Sequence, residues 1–164
     1  MALNLDSKKV VVEEVAGFAA KAISAVAAEY RGLTVTQLTA FRKTARENGV
    51  YVRVVKNSLA KRAVAGTEFE CMQEKMVGPL ILAFSMEDPG AAARLVSDFA
   101  KDNNKLVAKI VAINGKAFDG SELDRLARLP TRDQGISMLM SVIQAPVEKL
   151  ARTLAAVRDE KQAA

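Results

Sequence analysis

The sequence predicts an α/β fold for residues 1–130, with a mixed sheet flanked by helices, followed by a long helical extension. Three observations predict it. Helical and β-branched segments alternate up to residue 118, the dipeptide Asn114-Gly115 marks a hairpin at the end of that series, and no strand signal follows Thr131. Alternating elements place helices against a sheet, and the final hairpin makes part of that sheet antiparallel.

Apolar spacing and capping residues predict the helices of the first region. Apolar side chains recur at helical spacing over residues 5–23. The other expected helices start at good capping residues and stop at Gly, Asn or Pro. Their expected limits are Thr34 to Asn48-Gly49, Asn57 or Ser58 to Gly66, a short helix opened by a capping box at Thr67, Asp88-Pro89 to Asn103-Asn104, and Ser121 to Pro130.

Strands are predicted where short apolar or β-branched runs end at turn residues. The strongest signal is residues 50–55, which are dense in valine. Further strands are expected at residues 25–30, 80–84, 106–113 and 116–118. The last two are expected to pair through the Asn114-Gly115 turn.

The segment after Pro130-Thr131 has a different pattern and is predicted to be a separate helical tail, residues 131–164. Apolar side chains follow a heptad pattern there: Ile136, Met140, Ile143, Val147, Leu150, Leu154 and Val157. Pro146 falls inside the pattern and is expected to kink the helix. A helix of about 30 residues spans about 45 Å, which is too long for the whole stripe to fold back onto a small domain.

Docking of other chains is therefore the favoured interpretation of the tail, because an uncovered apolar stripe promotes aggregation. Two alternatives remain open: partial packing on its own domain, and self-association into a coiled coil. Pro146 argues against a long straight homodimer, so we expect no homo-oligomer.

The composition excludes several classes of function. The chain has no His and one Cys, so Ser-His-Asp and Cys-His catalysis, disulfides and Cys or His metal sites are excluded, and no cofactor is expected. The longest uncharged run, residues 134–147, is too short to span a membrane. The first nine residues lack the pattern of a signal peptide. We expect a soluble cytoplasmic protein.

The positive charge is concentrated in one segment. The formal net charge is +5, and residues 29–66 hold eight basic side chains against two acidic ones. The other segments are nearly neutral or slightly acidic. A basic block is often only a solvated surface, but this concentration favours a polyanionic partner, because neutralised phosphates release counterions.

Residues 54–62 form the sharpest local pattern within this segment. A strand leads into a helix N-terminus, where unpaired N–H groups and the helix dipole attract anions. Lys56 lies beside that terminus, and Lys61 and Arg62 follow one turn later. Many helices begin this way, but the cationic setting and the nearby Arg31-Gly32 turn favour phosphate binding.

Four other side chains could take part in binding or chemistry, and each also has a purely structural interpretation. Tyr30 and Tyr51 either stack on a base or pack in the core or its rim. Arg53 points away from the face of its valine neighbours and either contacts an RNA backbone or is solvated. Cys71 lies among glutamates that disfavour a thiolate, so a plain buried or half-buried thiol is expected.

Several motifs together resemble one family along nearly the whole chain. They are Tyr30-Arg31-Gly32-Leu33-Thr34, Asn48-Gly49-Val50-Tyr51, Arg53-Val54-Val55-Lys56-Asn57-Ser58-Leu59, Val77-Gly78-Pro79, Asp88-Pro89-Gly90-Ala91-Ala92-Ala93-Arg94, Leu126-Ala127-Arg128-Leu129-Pro130-Thr131 and Arg152-Thr153-Leu154-Ala155-Ala156-Val157-Arg158. The chain thereby resembles the bacterial large-subunit ribosomal protein L-ten family, whose members lie at the base of the ribosomal stalk.

The resemblance implies a function without catalysis. Members have an α/β N-terminal domain that binds large-subunit ribosomal RNA beside the ribosomal protein L-eleven. Their C-terminal helix holds dimers of the acidic stalk protein, which recruit translational GTPases. Some members also bind the leader of their own messenger RNA and repress its translation.

The positions that match RNA-facing motifs of that family are Arg31, Gly32, Leu33, Arg53, Lys56, Asn57 and Ser58, then Lys61 and Arg62, with Gly78 and Pro79 in a nearby turn. A DNA-binding regulator dimerised through the heptad helix is the alternative from another class. A small hydrolase or transferase would need a catalytic constellation, and no motif in the sequence suggests one.

Overall fold

The structure is a computed structural model that describes residues 4–103 and 105–163, and the chain divides into two units, Met1–Leu129 and Pro130–Ala164. Helices and strands alternate through the first unit. In order they are α1 Leu5–Ala19, β1 Ser24–Glu29, α2 Val35–Glu47, β2 Val50–Val54, α3 Asn57–Val64, β3 Leu80–Ser85, α4 Ala91–Asp102, β4 Val107–Ile113, β5 Lys116–Asp119 and α5 Leu123–Ala127. The second unit contains α6, Arg132–Ala163.

The α/β fold class is confirmed, but the expected mixed sheet is wrong. The strand order is β2-β3-β1-β4-β5, and every described neighbouring pair is antiparallel. The two helical crossovers each skip a strand. The crossover through α2 joins β1 to β2 with β3 between them, and the one through α4 joins β3 to β4 with β1 between them. Strands with the same direction are therefore never neighbours.

The sheet separates two hydrophobic layers, because alternate strand residues face opposite sides. On one side, Ala25, Ala27, Leu82, Phe84 and Ile110 pack with side chains of α1 and α3. On the other side, Val26, Ala28, Ile81, Ala83 and Val111 pack with side chains of α2 and α4. The first unit thus has three layers, with helices on both faces of the sheet, and the ends of the strands are not covered by these two layers.

Two helix starts differ from the expected ones. The N-cap of α3 is Lys56, which makes no capping hydrogen bond with its side chain, so neither Asn57 nor Ser58 caps this helix. The N-cap of α4 is Gly90, two residues after the expected Asp88. The Asp88 carboxylate instead accepts from the Gly90 N–H at 3.2 Å and pairs with Arg94.

Of the other helix limits, some agree with the expected ones and some do not. Thr34 and Gln37 form a capping box at the start of α2. Helix α1 ends at Ala19, before the expected residue 23, and the segment after Thr67 forms only a 3-10 turn, Glu70–Met72. Ser121 lies in a second 3-10 turn, Gly120–Glu122, ahead of α5. Of the expected stop Asn103-Asn104, Asn103 caps α4 and Asn104 lies outside the described residues.

The hairpin prediction at Asn114-Gly115 is confirmed. Both residues have positive φ, 50° and 74°, as a two-residue turn of this type requires. The turn pairs β4 with β5 from Ile113↔Lys116 to Ile110↔Asp119. This hairpin completes one edge of the sheet, and β2 forms the other edge.

Candidate nucleic-acid interface and docking helix

Three chain segments meet at one end of the sheet. The C-terminal ends of β1 and β2 lie beside the start of β3, because β3 is antiparallel to both, with Glu29 opposite Leu80 and Val54 opposite Ile81. A cleft of about 440 Å³ opens there. It is lined by Tyr30, Val54, Val55, Lys56, Asn57, Ser58, Gly78, Pro79 and Leu80. We call it the strand-end cleft.

Hydrogen bonds hold the three segments together around the strand-end cleft. The side-chain amide of Asn57 donates to the carbonyl oxygen of Gly78 at 2.8 Å. The backbone N–H of Tyr30 donates to the carbonyl oxygen of Pro79 at 3.4 Å. Gly78 has a φ of 95°, which favours glycine over any residue with a Cβ. The cleft is therefore fixed from both sides by the turn before β3.

The start of α3 presents donors at this cleft. The Lys56 carbonyl accepts from the N–H groups of Leu59 and Ala60 at 2.8 and 3.0 Å. Within the described residues, no acceptor meets the N–H of Asn57 or Ser58. Free N–H groups at a helix N-terminus suit an anion. The local arrangement is thus the one that residues 54–62 predicted.

The structure brings together only part of the predicted RNA-facing set. Lys56, Asn57, Ser58, Gly78 and Pro79 line the strand-end cleft, whereas Lys61 and Arg62 lie further along α3. Arg31, Gly32 and Leu33 follow Tyr30 in a turn, in which the Leu33 N–H donates to the Tyr30 carbonyl at 3.2 Å.

Lys105 is a residue near this surface that the sequence did not indicate. A Cβ added to Gly32, whose φ is 89°, would lie 3.3 Å from the Lys105 side chain. Lys105 is exposed, and no salt bridge of the described residues includes it. Lys105 is far from Arg31 along the chain, so no local sequence pattern indicates that the two residues lie near each other. It adds a cation to the turn beside the strand-end cleft.

The cations of residues 29–66 differ from those elsewhere in their pairing. Among the described salt bridges, Arg53 is the only one of them with a carboxylate partner. In the rest of the first unit most of the cations after residue 66 are paired: Lys75, Arg94, Lys101, Lys109 and Arg125. Lys109 also pairs with Glu29, one of the two acidic residues of the basic segment. The basic segment thus keeps its charges available to an external anion.

Arg53 and Tyr51 are engaged with α1. Arg53 pairs with Glu14 and donates to the Tyr51 hydroxyl at 3.0 Å, and that hydroxyl donates to Glu14 at 2.9 Å. The Tyr51 ring stacks on Phe18 with centroids 3.8 Å apart. Hydrogen bonds from Arg53 and Tyr51 lower the pKa of Glu14. The hydrogen bonds that Arg53 makes to Tyr51 and Glu14 raise the pKa of Arg53. Arg53 points away from the face of its valine neighbours, as expected, but it is not free in solvent.

The second unit exposes the predicted apolar stripe. Ile136, Met140, Ile143, Val147, Leu150, Leu154 and Val157 are all between 44% and 77% exposed. We call these seven side chains the heptad stripe. Helix α6 continues through Pro146. Met138, Leu139 and Val142 are exposed as well, which widens the apolar surface of the first half of the helix beyond what the heptad pattern indicated.

The remaining candidate chemistry is limited. Cys71 is half-buried, as expected, and burial raises the pKa of its thiol, so the thiolate is disfavoured. The described part of the chain holds no cluster of three or more Cys, Asp or Glu side chains that could bind a metal. None of the helices described, α6 included, is long and apolar enough to cross a membrane.

Comparison with known proteins matches both units. The family described as Ribosomal protein L10 matches residues 3–101, and the one described as Ribosomal protein uL10 C-terminal region matches residues 129–164. The chain is 65% identical to Large ribosomal subunit protein uL10 of Methylococcus capsulatus, with all of both chains covered. It is 61% identical to the protein of that name from Dichelobacter nodosus, over all of both chains, and 60% identical to the one from Thioalkalivibrio sulfidiphilus, over 99% of each.

These matches define the class as structural proteins of the large ribosomal subunit, components of a ribonucleoprotein that acts in translation. The chain belongs to the ribosomal protein uL10 family. The family resemblance inferred from the sequence motifs is therefore confirmed. The relatives are named as ribosomal proteins, so the alternative of a DNA-binding regulator is not supported. Structural ribosomal proteins of this kind are not enzymes.

Proposed function

We propose that the chain anchors the ribosomal stalk: its first unit binds large-subunit ribosomal RNA, and its second unit holds dimers of the acidic stalk protein. The ribosomal protein L-eleven is then its neighbour on the RNA, and the stalk recruits the translational GTPases. The observation that carries the proposal is that, of the eight cations in residues 29–66, only Arg53 has a carboxylate partner among the described salt bridges, and that Lys56, one of the unpaired ones, lines the strand-end cleft.

The RNA-binding part of the proposal follows from this electrostatic arrangement. A cation that already has a carboxylate partner gains little from a phosphate, whereas an unpaired one releases counterions when it binds. The N–H groups of Asn57 and Ser58 add directed donors beside Lys56. The proposed RNA-contacting residues are Arg31, Gly32, Leu33, Lys56, Asn57, Ser58, Lys61, Arg62, Gly78 and Pro79, with Arg53 contributing less because of Glu14.

The docking part of the proposal follows from the heptad stripe. Its seven apolar side chains represent on the order of 10–20 kcal/mol of gross burial, at about 1.5–3 kcal/mol each. Each is exposed, so the stripe suits the apolar faces of partner helices. The charged residues in the middle of the stripe, Glu148, Lys149 and Arg152, lie off its heptad positions, and Arg152 is paired to Glu148 on the same helix.

One substitution tests RNA binding directly. Lys56→Gln removes a cation at the strand-end cleft without disturbing a described hydrogen bond or salt bridge. We expect weaker binding of large-subunit ribosomal RNA and a salt slope reduced by about one, since one phosphate contact is lost. Filter-binding titrations over a range of salt concentrations measure both quantities.

Lys75→Gln is the matched control, because Lys75 is paired with Asp119 outside the basic segment. It should leave the affinity and the salt slope nearly unchanged. An unaltered salt slope for Lys56→Gln, or equal effects of the two substitutions, would contradict the proposed interface.

The proposal extends to the leader of the protein's own messenger RNA. Both RNAs are proposed to bind at the same strand-end cleft, so they should compete for it. Ribosomal RNA should therefore displace a bound leader in the same titration. Simultaneous binding of both RNAs would count against a shared surface.

A further inference from the structure

We propose that the strand-end cleft accepts one unstacked nucleobase of the bound RNA, with Tyr30 as the stacking surface. This inference rests on the proposed RNA binding and adds a subsite that phosphate contacts alone do not require. It changes the expected recognition, because phosphates position an RNA whereas base contacts select it.

The shape and lining of the cleft suit a base. Its volume of about 440 Å³ lies within the range of about 300–1,000 Å³ that is typical of small-ligand sites. Val54, Val55, Pro79 and Leu80 supply apolar surface. Proteins read single-stranded RNA by accepting splayed bases against aromatic and apolar side chains. A paired duplex does not offer such a base, so the ligand is an unpaired nucleotide.

Tyr30 is the tyrosine that remains available for stacking. Tyr51 already stacks on Phe18 and shares its hydroxyl with Glu14 and Arg53. Tyr30 is half-buried, lines the cleft, and makes no described aromatic stack or side-chain hydrogen bond. Both tyrosines pack at the rim of a hydrophobic layer, Tyr51 on the side of α1 and α3 and Tyr30 on the side of α2 and α4, but only Tyr30 also lines the cleft.

The rim of the cleft fits a nucleotide better than an apolar side chain of a protein. Lys56 is part of the lining, the lining contains no acidic residue, and Arg31 follows Tyr30 directly. The bond from Asn57 to Gly78 uses the amide nitrogen and leaves the Asn57 carbonyl oxygen to accept from a base edge. The Ser58 hydroxyl also has no hydrogen-bond partner among the described residues.

A fluorescence experiment on the full chain tests this contact. The sequence contains no tryptophan, so Tyr30→Trp introduces a single reporter at the cleft. Tyr51→Trp is the matched control, because its ring packs on Phe18. With transcribed large-subunit ribosomal RNA, we expect strong quenching of the reporter at position 30 and little change at position 51. If neither reporter is quenched by RNA, the base contact is overturned. It is also overturned if the reporter at position 30 responds to ribosomal proteins but not to RNA.

An affinity series covers the case in which the tryptophan variant fails to fold. Tyr30→Leu should weaken RNA binding roughly 5- to 150-fold, the effect of losing one stacked base, and should leave the salt slope unchanged because no charge is removed. Tyr30→Phe should bind within about twofold of the original chain, since it keeps the ring. Circular dichroism and melting temperature check the fold of each variant.

The outcomes separate the two proposals. If the unaltered chain does not bind RNA, the proposed function fails. If it binds with a steep salt slope but Tyr30→Leu binds equally well, only the base contact is overturned. A loss of affinity in Tyr30→Phe as large as that in Tyr30→Leu would also overturn it, because the hydroxyl rather than the stack would then be responsible.

Discussion

Gly120 shows how a single residue limits the edge of the sheet. A Cβ at this position would lie 1.9 Å from the carbonyl oxygen of Ala108 and 2.6 Å from its carbonyl carbon. Ala108 belongs to β4 at the point where its pairing register with β1 shifts, between Ala27 and Ala28. The backbone after β5 therefore packs directly on the irregular part of β4.

Gly120→Ala should destabilise the first unit by about 1–3 kcal/mol, the usual cost of forcing extra atoms into a packed position. Gly17→Ala is the control, because an added Cβ on α1 meets nothing within 4 Å. Removing a helical glycine there should stabilise the unit by about 0.8–1 kcal/mol. Thermal unfolding of both variants measures these changes. Equal melting temperatures for the two would contradict the close packing at Gly120.

The ion pair between Glu14 and Arg53 makes the stability depend on pH. The hydrogen bonds that the Glu14 carboxylate accepts from Arg53 and Tyr51 hold the pKa of Glu14 below the ordinary 4.5. A carboxyl with a depressed pKa contributes stability above its unfolded value and loses it as the pH falls through the folded value. Glu14→Gln should therefore be less stable than the original chain at pH 7, and the difference should shrink as the pH falls below 4.5.

Urea unfolding between pH 7 and pH 3 checks this dependence. Glu13→Gln is the neighbouring control, because Glu13 is exposed and has no ion-pair partner among the described residues. A stability difference between the original chain and Glu14→Gln that stays constant down to acid pH would show that the pair contributes nothing.

At this scale, the sequence predicts residues whose role depends on local chemistry. Thr34 as a cap and Asn114-Gly115 as a turn act on their own backbone neighbours, and both are confirmed. The partner of Arg53 and the position of Lys105 depend on tertiary contacts that no local pattern contains. The strand-end cleft itself belongs to this second class, because it joins three separate segments.

Among the elements, the strands and the long helix were more predictable than the helix starts. Each of the five strands lies within one residue of its expected limits at either end. The sequence predicts a start of α4 at Asp88, because aspartate followed by proline usually opens a helix. Tertiary hydrogen bonds compete with that preference here, since the carbonyl oxygen of Pro89 accepts from the Ser24 hydroxyl of β1 at 2.8 Å.

Helix α6 provides the prediction for stalk docking. Ile143 and Leu150 are 77% and 61% exposed on the heptad stripe, so replacing both with Asp puts charges where partner helices must pack. We expect the double variant to lose most of its capacity for the acidic stalk protein while RNA binding is retained. Native mass spectrometry of the full chain with the stalk protein measures the stoichiometry.

Lys149→Gln and Arg152→Gln together are the matched control, because these side chains lie off the stripe on the same helix. They should leave the stoichiometry unchanged. A homodimer of the chain that excludes the stalk protein, or normal uptake by the double Asp variant, would contradict the docking proposal.

For the whole molecule, the fold class followed from the sequence but the strand order did not. Alternation of helices and strands is a local pattern, whereas the choice of neighbours in the sheet depends on which crossovers skip a strand. The two clusters of buried residues lie entirely between Val15 and Leu123. None of their members comes from the second unit.

The position of these clusters leads to a prediction for truncation. A chain ending at Leu129 should keep the melting temperature of the full chain within a few degrees, because every member of both clusters is retained. It should also keep its RNA affinity and lose uptake of the stalk protein. Calorimetry and the RNA titration check the first two expectations. Unfolding of the truncated chain would show that the second unit stabilises the first.

The interleaved strand order has a consequence for synthesis of the chain. Strand β1 is made early but lies between β3 and β4, and β4 ends only at Ile113. The centre of the sheet can therefore form only after β4 has been synthesised. Until then the alanine-rich β1 lacks at least one of its neighbours, β3 and β4. Such non-local pairing delays folding. The strand-end cleft is lined by the ends of β1, β2 and the start of β3, so it lacks the support of β4 until that strand has emerged, and under the proposed function an incomplete chain should bind ribosomal RNA less well than a finished one.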